Sequence, residues 1–143
     1  WLKQDKSAQS FLGLVTPSDE NNYSILMIHG TGQGPDTPYV IGPMRELLSE
    51  DGFGTLSIQM PVLSDDENYD NYMKEFAESR RRIEEGVTLL RETNPNSKIV
   101  ILGHSMGSTM LMDWLFNNDS ADISGFIALG LGSTNQKKKK LVW

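Results

Sequence analysis

Ile99-Val100-Ile101-Leu102-Gly103-His104-Ser105-Met106-Gly107 runs four apolar residues into a serine bracketed by glycines. An apolar run of this length suits a strand buried on both faces, as in a parallel sheet. The residues that follow, Gly107 to Phe116, carry the pattern of a helix. Gly103-x-Ser105-x-Gly107 therefore stands where a strand turns sharply into a helix, a turn that lifts a serine hydroxyl above the end of the sheet. A chain with 13 glycines meets this five-residue spacing by chance easily enough, so the setting carries the weight.

Working outward, "YSILMIHG" (Tyr23 to Gly30) reads as a second buried strand, followed by the Gly/Pro loop Gly30 to Pro38. Val40, Ile41, Met44, Leu47 and Leu48 recur at helical spacing, and Asp51-Gly52 closes that helix. Gly54 to Pro61 predicts a strand stopped by proline. Tyr72, Met73, Phe76, Ile83, Val87 and Leu90 predict one long helix from about Tyr69 to Thr93. Arg80 interrupts that stripe, its stem packing and its guanidinium reaching solvent. Lys98 to Leu102 and Ile123 to Gly130 are two further strands, and Trp1 to Lys6 and Phe11 to Val15 two short ones. Trp114 and Phe116, with Leu111 and Leu115, are expected in the core. Strand-helix alternation of this kind implies an α/β fold, a mostly parallel sheet with helices on both faces. The expected organisation is one domain over residues 1–133 and an irregular Lys-rich tail over 134–143.

Bulk composition narrows the function. The 143 residues are 38% hydrophobic and 22% charged, as in an ordinary globular domain. Net charge is −6 even with Lys137 to Lys140 in the tail. An acidic body argues against nucleic acid as partner, since phosphate binding needs a basic surface. With no cysteine, disulfides, thiolate catalysis and cysteine-ligated zinc are excluded. No apolar run approaches the roughly 20 residues of a transmembrane helix. The compartment stays open, because a chain beginning at Trp1 is expected to lack its natural start. "SDDENYD" (Ser64 to Asp70) lacks the central Gly and terminal Glu of a calcium loop and reads as a solvated loop capping the long helix. No metal or cofactor is expected, and oligomeric state is not legible.

Two glycine-rich turns at strand ends carry the chemistry. Acyl transfer needs a nucleophile and two N–H donors aimed at the oxyanion of the tetrahedral intermediate. Ser105 is the candidate nucleophile, and the residue after it, Met106, supplies one N–H. The other comes from the loop after an earlier strand, where His29-Gly30-Thr31-Gly32 is placed to offer Thr31 N–H. Gly30 and Gly32 let that backbone approach a substrate, and Gly103 and Gly107 let strand and helix approach each other. A helix N-terminus behind the serine favours developing negative charge. His29 is expected to brace backbone by hydrogen bonding, and His104, in the tight turn, to point away from Ser105.

"HG" after one strand and "GHSMG" after a later one resemble the α/β-hydrolase superfamily. More narrowly, "SFLGLVTP", "MIHGTGQGPDTPYVIGPMRELL", "GFGTLSIQMPV" and "IVILGHSMGS" resemble a proteobacterial α/β-hydrolase-like family of unknown function. The resemblance runs to about Ser133 and implies a serine-hydrolase scaffold for ester or thioester-type acyl bonds of a small-molecule substrate. In that superfamily the acid and then the histidine follow the serine. Here no histidine follows Ser105, and Asp113, Asp119 and Asp122 lie on or just after the helix behind it. The chain is accordingly expected to be the N-terminal portion of a longer domain, with acid and base beyond Trp143. The alternative is a binding or interaction module that keeps the scaffold without the chemistry.

Overall fold

The computed structural model describes residues 10–64, 67–119 and 122–131. The expected strand at Trp1 to Lys6, the Lys-rich tail and the boundary at 134 lie outside these residues. The elements are β1 (Gly13–Thr16), β2 (Tyr23–Ile28), α1 (Ile41–Glu50), β3 (Gly54–Ile58), a 3-10 helix (Tyr69–Glu75), α2 (Phe76–Thr93), β4 (Lys98–His104), α3 (Met106–Phe116) and β5 (Gly125–Leu129). They build one five-stranded sheet in the order β1-β3-β2-β4-β5. β2 pairs in parallel with β3 and β4, and β4 with β5, whereas β1 is antiparallel to β3.

Alternation along the central strands sorts the core into two layers. Leu26 and Ile28 of β2, Leu56 and Ile58 of β3, and Ile99 and Ile101 of β4 share one face with Ile83 and Val87 of α2 and Met110 and Trp114 of α3. Ile25, Met27 and Leu102 face the other way, onto Ile41, Met44 and Leu48 of α1. Each fully buried aliphatic side chain contributes about 1.5–3 kcal/mol, and the central strands hold most of them. β2 and β4 are therefore the most firmly fixed elements, and both end at the candidate site.

α1 ends as its Asp51-Gly52 pair predicts. Gly52 takes φ +79°, Gly52 N–H donates to Ser49 O at 3.1 Å and Phe53 N–H to Leu48 O at 2.9 Å. Those are the paired bonds of a Schellman C-cap, which needs a left-handed residue.

Several expectations shift. The long helix from Tyr69 is a 3-10 segment to Glu75 followed by α2, with the Asn68 side chain accepting from Asp70 N–H at its start. Phe116 and Leu47 are exposed, at the last turn of α3 and on the outer side of α1. Arg80 is half-buried, and its guanidinium pairs with Asp113 at 2.6 Å, tying α2 to α3. The strand expected from Phe11 starts at Gly13, with Phe11 itself buried under the guanidinium groups of Arg81 and Arg82.

Two helical glycines give a test of how tightly helices meet the sheet. A Cβ on Gly86 of α2 would come 2.9 Å from Leu26 Cδ1, a side-chain end that can move. A Cβ on Gly107 of α3 would lie 2.5 Å from His29 O and 2.6 Å from Ile28 O, backbone that cannot. Overpacking costs about 1–3 kcal/mol and an interior Gly→Ala gains about 1 kcal/mol of helix propensity. Gly86→Ala should therefore lose no more than about 2 kcal/mol in urea unfolding, and Gly107→Ala clearly more. Equal losses would contradict this difference in yield.

Candidate active site

β4 ends at His104, and the chain turns at Ser105 with φ 53° and ψ −120° before α3 begins at Met106. Among the described residues Ser105 is the only non-glycine with positive φ. A residue in such a region costs of order 1–3 kcal/mol and persists only where its surroundings impose it. Those surroundings are visible. A Cβ on Gly103 would lie 2.9 Å from Gly107 O and from Ser108 Cα, so the glycines on both sides of the serine let α3 fold back onto β4 and β2. Ser105 N–H donates to Leu129 O at 2.8 Å, anchoring the turn to the tip of β5.

Ser108 completes that anchor and was not singled out by its sequence. Its buried hydroxyl lies 2.8 Å from Gly103 O and 2.9 Å from Leu129 O, binding the first turn of α3 to the ends of β4 and β5. A serine in a helix's first turn signals local back-bonding, but the partner across the sheet has no sequence mark.

The loop after β2 meets this turn through Gly30. A Cβ on Gly30 would sit 3.1 Å from Ser105 Cβ and 3.2 Å from His104 O, so a larger residue would press on the serine. Thr31 and Gly32 follow at the surface, with Gly32 at φ +64°. Met106 opens α3, in the turn whose N–H groups lack intrahelical acceptors. Ser105, Gly30, Met106, Gly103 and Gly107 are thus gathered in one place, with Thr31 next in the chain.

His29 lies beneath the loop and is 1% exposed. Its Nε2 is 2.9 Å from Met60 N and 2.9 Å from Gln59 Nε2, and its Nδ1 2.8 Å from Gly30 O. A backbone N–H can only donate, so Nε2 is the acceptor and Nδ1 carries the proton. Burial holds the imidazole below its usual pKa; the Gly30 bond works against that shift and nearby Arg82 adds to it. With both nitrogens engaged, His29 braces backbone. Gln59 and Arg82, whose guanidinium donates to Gln59 O at 2.8 Å, belong to the same assembly and carry no mark in the sequence.

His104 Nδ1 is buried beside Gly30 and has no hydrogen-bond partner among the described residues. Asp113 is held by Arg80, and Asp122 by Arg91 at 2.9 Å. Among the described residues no group of three or more His, Asp or Glu side chains could hold a metal ion.

A mostly parallel sheet with a strained serine between a central strand and the following helix defines the class: the protein has an α/β-hydrolase fold. The chain belongs to the family described as protein of unknown function (DUF3530), whose model matches residues 1–78, and residues 55–126 match that of alpha/beta hydrolase of unknown function (DUF900). No curated protein matches it. Similar solved structures include a putative alpha/beta hydrolase from Agrobacterium tumefaciens (TM-score 0.59, 19% identity, 82% of this chain and 54% of that one). Dienelactone hydrolase from Anabaena variabilis gives TM-score 0.65 at 16% identity, covering 87% of this chain and 59% of its own. An alpha-beta serine hydrolase homologue from Coxiella burnetii gives 0.64 at 16%, covering 90% and 60%. At these identities the likeness is one of fold, and the chain spans less than two thirds of each of the three.

Two measurements follow from this geometry. Ser105→Gly removes the backbone strain at φ 53°, worth about 1–3 kcal/mol, against about 0.5–1 kcal/mol of added chain entropy. Its urea midpoint should rise above that of Ser105→Ala, which keeps the strain; the reverse order would count against strain at this turn. The second concerns pH. An unfolded histidine titrates near about 6.5, and native His29 titrates lower. Below pH ~6.5 the unfolded chain takes up a proton that native His29 refuses, so stability is full above that pH and falls towards the native value. The loss is at most about 1.4 kcal/mol per pH unit. His29→Asn should flatten this slope between pH 7.5 and 5.5, whatever its overall cost.

Proposed function

We propose that this chain carries the nucleophile and oxyanion-binding half of a serine hydrolase for ester or thioester-type acyl bonds of small molecules. The observation that carries the proposal is the strained Ser105 backbone, held between Gly30 and Leu129 O at the end of β4. Strain at a polar residue facing a glycine loop is what an exposed nucleophile requires, and a plain structural turn does not.

In the proposed reaction Ser105 Oγ bonds to the carbonyl carbon while a base takes its proton. The oxyanion that forms accepts from Met106 N–H and Thr31 N–H, with the α3 dipole adding to the stabilisation. The tetrahedral species collapses, the alcohol or thiol leaves with the base's proton, and water reverses the sequence on the acyl-enzyme. His29 is braced on both nitrogens and does not serve as base. Base and acid are proposed to come from outside the described residues. By the same coverage the three solved neighbours are each about 1.5 times as long as this chain, which leaves room for both.

The second reading, a binding module on the same scaffold, draws on the pairing of Asp113 and Asp122 with arginines, which leaves neither free to act as triad acid. A fluorophosphonate probe separates the two. The full-length protein should label at Ser105 and lose the label in Ser105→Ala. Persistence of the label in that variant would contradict Ser105 as nucleophile, and a full-length protein that never labels would favour the binding module. On its own, the 143-residue chain should hydrolyse a short-chain p-nitrophenyl ester slower by several orders of magnitude than the full-length protein, since a missing base and acid cost about 10⁴–10⁶ in rate. Ser105-dependent turnover by the 143 residues alone would place the base among them.

A further inference from the structure

We propose that Gln59 is a positioning residue for the loop after β2, setting the direction of Thr31 N–H through His29 and the Gly30 carbonyl. Gln59 Nε2 lies 2.9 Å from Met60 O, which can only accept, and 2.9 Å from His29 Nε2. Both amide hydrogens are thereby assigned, one to each partner. Met60 N–H, also 2.9 Å from Nε2, is the second donor to the same ring nitrogen. Two donors on Nε2 leave the imidazole one arrangement, with its proton on Nδ1, and that proton goes to Gly30 O at 2.8 Å.

The consequence runs along one peptide plane. Gly30 C=O and Thr31 N–H belong to the same planar trans unit and point in opposite directions. A carbonyl drawn into the buried His29 ring therefore turns Thr31 N–H away from it, towards the exposed mouth of the loop. Gln33 holds the same unit through its N–H, 3.3 Å from Gly30 O, and the preceding unit through its Oε1, which accepts from Gly30 N–H at 3.2 Å. Gln59 is itself fixed from α2: buried Arg82 donates to its backbone oxygen at 2.8 Å and is paired with Glu78 at 2.7 Å. The ionisable groups around His29 are thus Arg82 with Glu78 on α2, and His104 at the end of β4, whose Nδ1 adjoins Gly30. None is an anion placed against Nε2, and burial outweighs the Gly30 carbonyl, the one contact that favours the imidazolium. A charged His29 would present a second N–H to Met60 N–H and to the Gln59 amide, forcing β3 and the ring apart.

The proposal rests on the hydrolase reading only where it concerns reaction rate, so the test has two arms. In the first, nitrogen-detected NMR of the 143-residue chain follows the His29 ring and the Thr31 amide against pH. The wild type should carry its proton on Nδ1 at pH 7.5. Gln59→Glu, which sets a carboxylate against Nε2, should raise the His29 midpoint by about one pH unit or more, with the Thr31 amide signal shifting at the same midpoint. Gln59→Met, which only removes a donor, should raise it less. An Nε2-protonated wild type, or a His29 midpoint and Thr31 signal indifferent to both variants, would overturn the proposal. Should Gln59→Glu fail to fold, Gln59→Met decides alone. In the second arm, probe labelling of Ser105 in the full-length protein should slow roughly tenfold in Gln59→Glu at pH 7 and recover above the raised midpoint. A labelling profile unmoved by that variant removes the kinetic role. A wild type that never labels defeats the hydrolase reading and leaves the NMR arm to decide the positioning role.

Discussion

Gly107 has no room for a Cβ, because the first turn of α3 rests on the carbonyl oxygens of Ile28 and His29. Much of the site depends on that contact. It brings a helix start against the end of a neighbouring strand, so the connection from β4 must turn within one residue. Ser105 is that residue, and its positive φ follows from the lack of space for a wider turn. The same contact joins the two candidate donors of an oxyanion hole. The backbone of His29 lies under Gly107, and Gly30 lies against Ser105 Cβ. Local strain of order 1–3 kcal/mol is sustained by the burial of β2 and β4, whose Leu26, Met27, Ile28, Ile101 and Leu102 are almost wholly excluded from solvent.

A second constraint acts from below the loop. Burying a histidine normally risks an unsatisfied nitrogen, at about 1–3 kcal/mol for each. Here Met60 N–H and Gly30 O satisfy both, and the neutral ring becomes a rigid spacer between the end of β3 and the loop after β2. Arg82 is a costly residue to bury, and Glu78, Gln59 O and the Phe11 ring at 5.1 Å compensate it. Glu78 in turn is held below its ordinary pKa, chiefly by its hydrogen bond to Arg81, with Arg82 adding to the effect. The ion pairs of α2 are thus linked through one glutamine and one histidine to the backbone beside Ser105.

What could be read in the sequence was what depends on neighbours along the chain. Apolar runs at Tyr23 to Ile28 and Ile99 to Leu102, the closing Asp51-Gly52 pair and the glycines on each side of Ser105 all act over a few residues. The elements they predict are present, with ends displaced by one or two positions. What could not be read depends on partners far away in sequence. Arg80 looks like a solvent-seeking break in an apolar stripe until Asp113, 33 residues on, is placed opposite it. Gln59 and Ser108 are ordinary polar residues until β2 and β5 are brought beside them. Phe116 fits the helical pattern of the core but falls in the last turn of α3, beyond what the sheet covers. The 3-10 segment before α2 escaped for another reason. Its apolar residues keep a helical spacing, and 3-10 and α periods differ too little over seven residues to separate by pattern.

β5 joins an incompletely covered part of the sheet to the turn at Ser105. Phe126 and Ile127 point to opposite faces and both are more than a third exposed, so neither layer of helices covers this strand fully. Among the described residues β5 pairs with β4 alone, and strands held by one ladder open at lower free energy than central strands. Leu129, the last residue of β5, nevertheless supplies the carbonyl that accepts from Ser105 N–H and lies within reach of the Ser108 hydroxyl. Loss of the Leu129 end of β5 would therefore free the serine turn while leaving the β2–β4 ladder intact. Contacts that steady β5 act on Ser105 as well as on the sheet, because the Leu129 carbonyl holds the strained backbone in place.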